Sequence, residues 1–341
     1  MRPLFLDVYL VQKNLAEYTV FIVQYDQLII YERKSFSSCP SAGICHKAMH
    51  ITGYEQYHEK KLHGSADFPY TTYICTIPLD CSFIPLHWHE EIELIRVLKG
   101  NGVISVDLER YQVTAGSIVL ILPGQLHAIE ELPGETMKYE NIIFNLNMLM
   151  GKGHDTCTRD YFNPILHGTC DLPQVITSEF SWYSAFVTCI DETDEICKYY
   201  PVAYPLAIKS KLFQMFYILF YNQTKRPPKT RPQKSIDKAK YILQYIAEHY
   251  SSHLSIETMA EACHLSESHF MKFFKSAFGM TFTEYVNDYR LTAAAHILAV
   301  TDQPIVDVAA SCGFDHVSYF NRLFKRKYQV TPSHLRKEKQ G

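Results

Sequence analysis

Hydrophobic and polar positions change period along the chain. Between residues 70 and 146, β-rich apolar runs at 74–77, 91–98, 102–106, 117–122 and 139–144 are separated by Lys99-Gly100-Asn101-Gly102, Ala115-Gly116, Pro123-Gly124 and Pro133-Gly134. Short runs with this punctuation predict the strands and tight turns of a small sandwich or barrel. Closely spaced Gly and Pro predict loop over 147–175. Helical spacing follows. Trp182, Phe186, Cys189 and Ile196 mark one helix, Leu206, Phe213, Phe216, Leu219 and Phe220 a second, and Pro201 and Pro205 the break between them. A helical layer packed on the barrel and a dimer interface both fit this pair.

From residue 236 the pattern is helical and doubled. Ala260, Cys263, Phe270, Phe274, Lys275 and Thr281 reappear as Ala309, Cys312, Phe320, Phe324, Lys325 and Thr331. Each copy reads as a short helix, a tight turn and a second helix, a candidate helix-turn-helix. In the first copy Ser255 and Ser266 are candidate helix caps, and Gly279 ends the second helix. Phe270, Phe273, Phe274 and Ala277 share one face, leaving Glu267, Ser268, Met271, Lys272 and Lys275 outside. Thr281 and Glu284 have capping-box spacing, which opens a connecting helix to about residue 299. In the second copy Pro304 opens the short helix and Asp315 is expected to cap residues 316–327. Phe320, Leu323, Phe324 and Tyr328 are expected to turn inward, and Val317, Ser318, Asn321, Arg322 and Lys325 outward. Thr331-Pro332 starts a last helix that offers Arg336, Lys337 and Lys339 to phosphate. A connecting helix ~27 Å long would hold both units on one rigid body, suited to major grooves about 34 Å apart.

Charge separates the same halves. The net charge of −3 divides into +6 over residues 223–341 (17 Lys and Arg against 11 Asp and Glu) and −9 over residues 1–222 (16 against 25). The basic excess therefore lies with the repeat, as expected for a half that meets phosphate. Residues 223–234, QTKRPPKTRPQK, have three prolines, five basic residues and no large apolar side chain, and read as a linker. Ten cysteines without a C-x-x-C pair favour a reduced compartment. No apolar run reaches membrane-span length and no secretory signal pattern is present, so the expected location is the cytoplasm, with no membrane partner. Residues 18–31 suit one or two strands. Domain-like patterning begins only near residue 54, so residues 1–53 are taken as an N-terminal extension, with Met49 as the expected native start.

The candidate chemistry lies in HWHEEIELIRVLKG, where His87, His89 and Glu93 are separated by even numbers and in a strand would share a face. His127, after Pro123-Gly-Gln-Leu, could bring another polar ring to it. His87, His89, Glu93 and Gly100 match in full the first motif of the cupin fold, which these residues resemble. Gly116, Pro123 and His127 follow the second motif with altered spacing and without its trailing Asn. Three readings stay open: a first-row transition metal on His87, His89, Glu93 and His127, an effector pocket without metal and no cofactor, or structural polar groups. A sugar or another hydroxylated metabolite would suit such rings, with Trp88 or Tyr111 nearby.

Residues 236–337, and most closely ILAVTDQPIVDVAASCGFDHVSYFNRLFKRKYQVTPSHLR, resemble the AraC/XylS family of bacterial transcription regulators, whose usual sensor half is a cupin. The resemblance implies an α+β multidomain chain. Its parts are the extension, a cupin-like β-barrel over 54–175, a helical layer over 176–222, a linker over 223–235 and an all-α double helix-turn-helix domain over 236–341. It also implies base contacts from Glu267, Ser268, Met271, Lys272, Val317, Ser318, Asn321 and Arg322, with Lys275 and Lys325 on phosphate. Arg322 can bond guanine bidentately, Met271 and Val317 can meet a thymine methyl, and Glu267 can accept from cytosine or lie against its helix N-terminus. The implied partners are an operator in double-stranded DNA, a small-molecule effector, RNA polymerase and a second copy of the chain. The competing readings are a metal-dependent cupin enzyme fused to a DNA-binding tail, and a regulator controlled by a protein partner.

Overall fold

A computed structural model describes residues 7–14, 17–24, 27–32, 67–79, 83–151, 155–223 and 232–340. Most of the expected linker, residue 49 and the expected domain start at 54 lie outside them. The chain divides into two compact units, residues 58–240 in one and residues 1–57 with 241–341 in the other. The N-terminal segment contains an antiparallel three-stranded sheet, β1 (Asp7–Asn14), β2 (Glu17–Gln24) and β3 (Gln27–Glu32).

The unit of residues 58–240 is built on an antiparallel sheet: β4 (Tyr70–Ile77), β5 (Phe83–His87), β6 (Ile92–Val106), β7 (Glu109–Thr114), β8 (Ile118–Ile121), β9 (His127–Glu130), β10 (Met137–Phe144) and β11 (Val175–Ile176). Strand β6 is its spine. Its first half pairs with β8 and β10, and its second half with β7 and β9. The main path runs β11-β8-β6-β10-β4. Among the described residues it ends at β4 and β11 instead of closing, so the expected barrel is an open, jelly-roll-like sheet. Two strands expected at 91–98 and 102–106 are one, because Lys99–Gly102 bends the strand without leaving the ladder. Gly100 has φ +77°, and a Cβ there would stand 1.6 Å from the Thr136 carbonyl oxygen, so only glycine fits. The register shift opposite, at Lys138/Tyr139, takes up the bend.

Alternation along β6 sorts its side chains between two cores. Ile92 and Leu94 join Leu120, Ile142 and Phe144 in one, and Ile95 and Val97 join Ile104, Val113, Ile121 and Tyr139 in the other. The segment expected to be loop holds a 3-10 turn (Leu146–Leu149), a π turn (Thr158–Phe162), α1 (Asn163–Leu166) and β11. Helices α2 (Tyr183–Tyr199) and α3 (Tyr204–Tyr221) pack on the first core through Phe186, Ile190, Ile208, Leu212, Met215, Phe216 and Leu219. Of the residues whose spacing marked the second helix, Leu206 and Phe213 are 71% and 40% exposed. Helix α3 is apolar nearly all round, so spacing alone could not select its buried stripe.

The other unit carries the repeat: α4 (Gln233–His249), within which the division between units falls, α5 (Ile256–Ala262), α6 (Glu267–Phe278), α7 (Phe282–Val300), α8 (Ile305–Ser311), α9 (Val317–Tyr328) and α10 (Pro332–Gln340). The Ser255 and Ser266 side chains cap α5 and α6, accepting from the Thr258 and His269 amides at 3.0 and 3.4 Å. Thr281 and Glu284 form the capping box of α7. Asp315 is not the cap of α9. His316 occupies that position without a side-chain cap bond, because the helix starts one residue later than expected. Cys263 and Cys312, at matching positions of the repeat, are both buried.

Candidate functional site

Two groups of side chains stand out, one in each unit. In the sheet unit β5 delivers His87 and ends there. The chain turns through Trp88–Glu91, and Glu93 lies on β6, buried. His87, His89 and Glu93 therefore meet across a turn between two strands, and not on one face of a single strand as their even spacing implied. His127 opens β9, directly opposite His87 in the ladder. One donor atom from each of these four side chains lies within 4.8 Å of the others. Nε2 of His89 and Nε2 of His127 are each 3.0 Å from Glu93 Oε2. The ring centroids of His87 and His127 are 4.1 Å apart, and those of His89 and His127 4.9 Å. Exposure is 1% at His89, 0% at His127 and 3% at Glu93, while His87 is half-buried. Burial pushes the Glu93 carboxyl up, yet the His127 and His89 imidazoles against it outweigh burial and hold it well below the usual carboxylate range.

The turn that places His127 is fixed by residues that sequence reasoning missed. Asp107, buried at a positive φ of 49°, accepts from Gln125 Nε2 at 2.9 Å and from the Leu126 amide at 3.2 Å. Gln125 Oε1 in turn accepts from the Leu122 amide at 2.8 Å. A polar Asp-Leu pair between two strand-like runs was the available signal, but it reads as an ordinary turn until its buried partner is known.

In the helical unit, α6 buries Phe270, Phe274 and Phe278 and leaves Glu267, Ser268, Met271, Lys272 and Lys275 exposed. Helix α9 buries Phe320, Leu323 and Phe324 and exposes Ser318, Asn321, Arg322 and Lys325. Val317 departs from expectation: at the first position of α9 it is half-buried and packs against the core that holds Phe320, Leu323 and Phe324. Arg322 lies over the Tyr319 ring, 5.3 Å from its centroid, which directs the guanidinium along the outward face. Arg336 Nη2 donates to the Gln303 carbonyl, and Lys337 is exposed. The side chain of Lys339 lies outside the described residues. Helix α7, 19 residues and so ~28 Å long, connects the two helix-turn-helix copies.

Two helix-turn-helix copies on one connecting helix, preceded in the chain by a sheet domain with a buried polar cluster, define a DNA-binding regulator with a sensor domain. Residues 259–338 match the family model described as helix-turn-helix domain, and residues 76–174 the AraC-like ligand binding domain. The uncharacterized HTH-type transcriptional regulator YdeC of Bacillus subtilis is 26% identical over 81% of this chain and 94% of its own length. The HTH-type transcriptional activator RhaR of Pectobacterium atrosepticum is 24% identical over 74% of this chain and 86% of its own. The probable transcription factor PqrA of Proteus vulgaris is 36% identical over 24% of this chain and 68% of its own. The chain belongs to the AraC/XylS family of transcription regulators. Among the described residues no helix is long and apolar enough to cross a membrane.

Proposed function

We propose that this regulator reads base edges with Glu267, Ser268, Met271 and Lys272 from α6 and with Ser318, Asn321 and Arg322 from α9, and that Val317 adds a smaller apolar contact from the helix start. Lys275 and Lys325 contact phosphate. An effector bound at the His87, His89, Glu93 and His127 cluster governs that reading, and the chain itself carries out no catalytic step. The activator named among its relatives favours activation, and with it RNA polymerase as a partner. A second copy of the chain completes the assembly, for which the exposed Leu206, Tyr217 and Tyr221 of α3 offer apolar surface.

The observation that carries this reading is the pair of outward faces, polar or basic at corresponding helix positions and backed by fully buried aromatics. Selection of the full chain on randomised duplexes defines its preferred site. Arg322→Ala is then expected to cost about 1–3 kcal/mol on that site and to relax preference at one base pair. Lys325→Ala should weaken all duplexes alike and lower the salt slope by about 1. An unchanged base preference in Arg322→Ala removes that residue from the reading set.

A further inference from the structure

The two helix-turn-helix copies pack on different stretches of one helix. At its start α7 meets α6 through the aromatic pairs Phe270–Phe282 and Phe274–Tyr285, and from Leu291 onward its Ala294, Ala295 and Leu298 pack with Phe320, Leu323 and Phe324 of α9. Arg290 stands between these stretches and touches both copies. Its Nε donates to the Tyr250 carbonyl at 2.7 Å and its Nη2 to the Ser252 carbonyl at 2.8 Å, both in the turn that leads from α4 into α5. The second copy meets the same group at its own turn. Gly313, between α8 and α9, has φ +82°, and a Cβ there would stand 2.8 Å from the Tyr250 oxygen and 3.0 Å from Arg290 Cζ. The guanidinium carbon lies 6.0 Å from the Phe314 ring centroid, and Tyr250 itself packs against the core of the second copy. Toward the first copy, by contrast, a cavity of about 390 Å³ lined by Ser255, Glu257, Glu267, Phe282, Asn287 and Arg290 opens between α7 and the starts of α5 and α6. Where packing leaves that gap, two directed bonds from a planar, rigid donor fork hold the backbone.

We propose that Arg290 is a positioning residue for DNA reading: by clamping the α4–α5 turn against the turn of the second copy, it fixes the angle between α6 and α9 and so the separation of half-sites that the regulator accepts. That role rests on the reading in which both α6 and α9 contact bases. One inserted base pair moves the second half-site by ~3.4 Å along the duplex and turns it by ~35°. Clamped helices cannot follow that displacement, whereas helices joined by α7 alone can follow part of it, since long helices bend. Arg290→Lys keeps the charge and removes the fork. Gly313→Ala pushes on the clamp from the other side, so two independent changes test one contact.

The full chain is titrated with its selected duplex, with the same duplex carrying one base pair more or less between the half-sites, and with duplexes in which one half-site is scrambled. The wild type should lose at least ~10-fold in affinity on altered spacing, the scale of one lost base contact. Arg290→Lys and Gly313→Ala should each lower that penalty by ~3-fold or more, with affinity for the scrambled-half duplexes unchanged. Wild-type spacing penalties in both variants overturn the proposal. So does an equal loss on every duplex, which marks Arg290 as structural only. A wild type that selects a site but tolerates either spacing overturns the clamp and leaves the reading of bases intact, whereas a wild type that selects no site overturns both.

Discussion

The two helix-turn-helix copies solve one folding problem by different means. In the first, local side chains close the helix ends: Ser255 and Ser266 cap α5 and α6, and Gly279 supplies the left-handed residue after α6 at φ +74°. In the second, Pro304 and His316 stand at the corresponding starts without a side-chain cap bond, and Gln329 takes the left-handed position at φ +59°. What replaces the caps is a tertiary tie. Lys327 Nζ lies 2.7 Å from Asp288 Oδ1 and donates to Thr292 Oγ1 at 2.6 Å, fastening α9 to the connecting helix. The residue at the matching place in the first copy is Ala277. The helix starts of the first copy are therefore closed by local side chains, whereas α9 of the second is fastened to the connecting helix.

Breaking that tie should produce the largest effect. Lys327→Met removes the cation and leaves the Asp288 carboxylate, about a quarter exposed, without its ion-pair partner. A fully buried pair broken in this way costs 3–5 kcal/mol, and exposure reduces the expected loss to about 2 kcal/mol. Hydrogen exchange read separately over α6 and α9 measures it. Faster exchange confined to α9 is expected, whereas equal acceleration in both helices would show that the copies share one stability.

The same contrast explains how much of the molecule was legible in the sequence. The first copy was read to within a residue at most of its boundaries, because its signals are local: Ser before a helical run, Thr281 three residues before Glu284, Gly279 after the last buried ring. The second copy was misread where tertiary contacts decide. Asp315 has the chemistry of a cap, but α9 starts after His316, and Val317 is drawn into the core. The sheet unit repeats the lesson. The identities of His87, His89, Glu93 and His127 follow from spacing and motif. Their convergence depends on a turn between β5 and β6, on the ladder pairing His87 with His127, and on Asp107 holding the turn before His127. At Gly100 the sequence predicts a turn between two strands, since a glycine at positive φ inside a strand has the same sequence signature as a turn.

A smaller effect separates the real cap from the apparent one. Ser266→Ala should cost about 1 kcal/mol and loosen the first turn of α6, since the His269 amide loses its acceptor. Asp315→Ala should change the exchange of α9 by a few tenths of a kcal/mol at most, because its carboxylate is not at the cap position. If the two substitutions cost the same, the second copy is capped after all and the contrast between the copies fails at this point.

The finest test concerns the residues that end α6 and α9. Nothing lies within 4 Å of a Cβ added at Gly279, so Gly279→Ala meets no steric obstacle and its cost is the left-handed backbone alone, about 1 kcal/mol. Gln329 already bears that cost, and Gln329→Gly should recover part of it. Two terms oppose the gain: the exposed bond from Gln329 Nε2 to the Arg326 carbonyl at 2.8 Å is lost, and glycine widens the unfolded ensemble. The net expectation is a stabilisation of roughly 0.5 kcal/mol or less, with opposite signs for the two substitutions in thermal melts of the full chain. A destabilised Gln329→Gly would mean that the side-chain bond to Arg326 outweighs the backbone term. The second copy would then have a local cap of its own at the C-terminal end of α9, where the first relies on glycine.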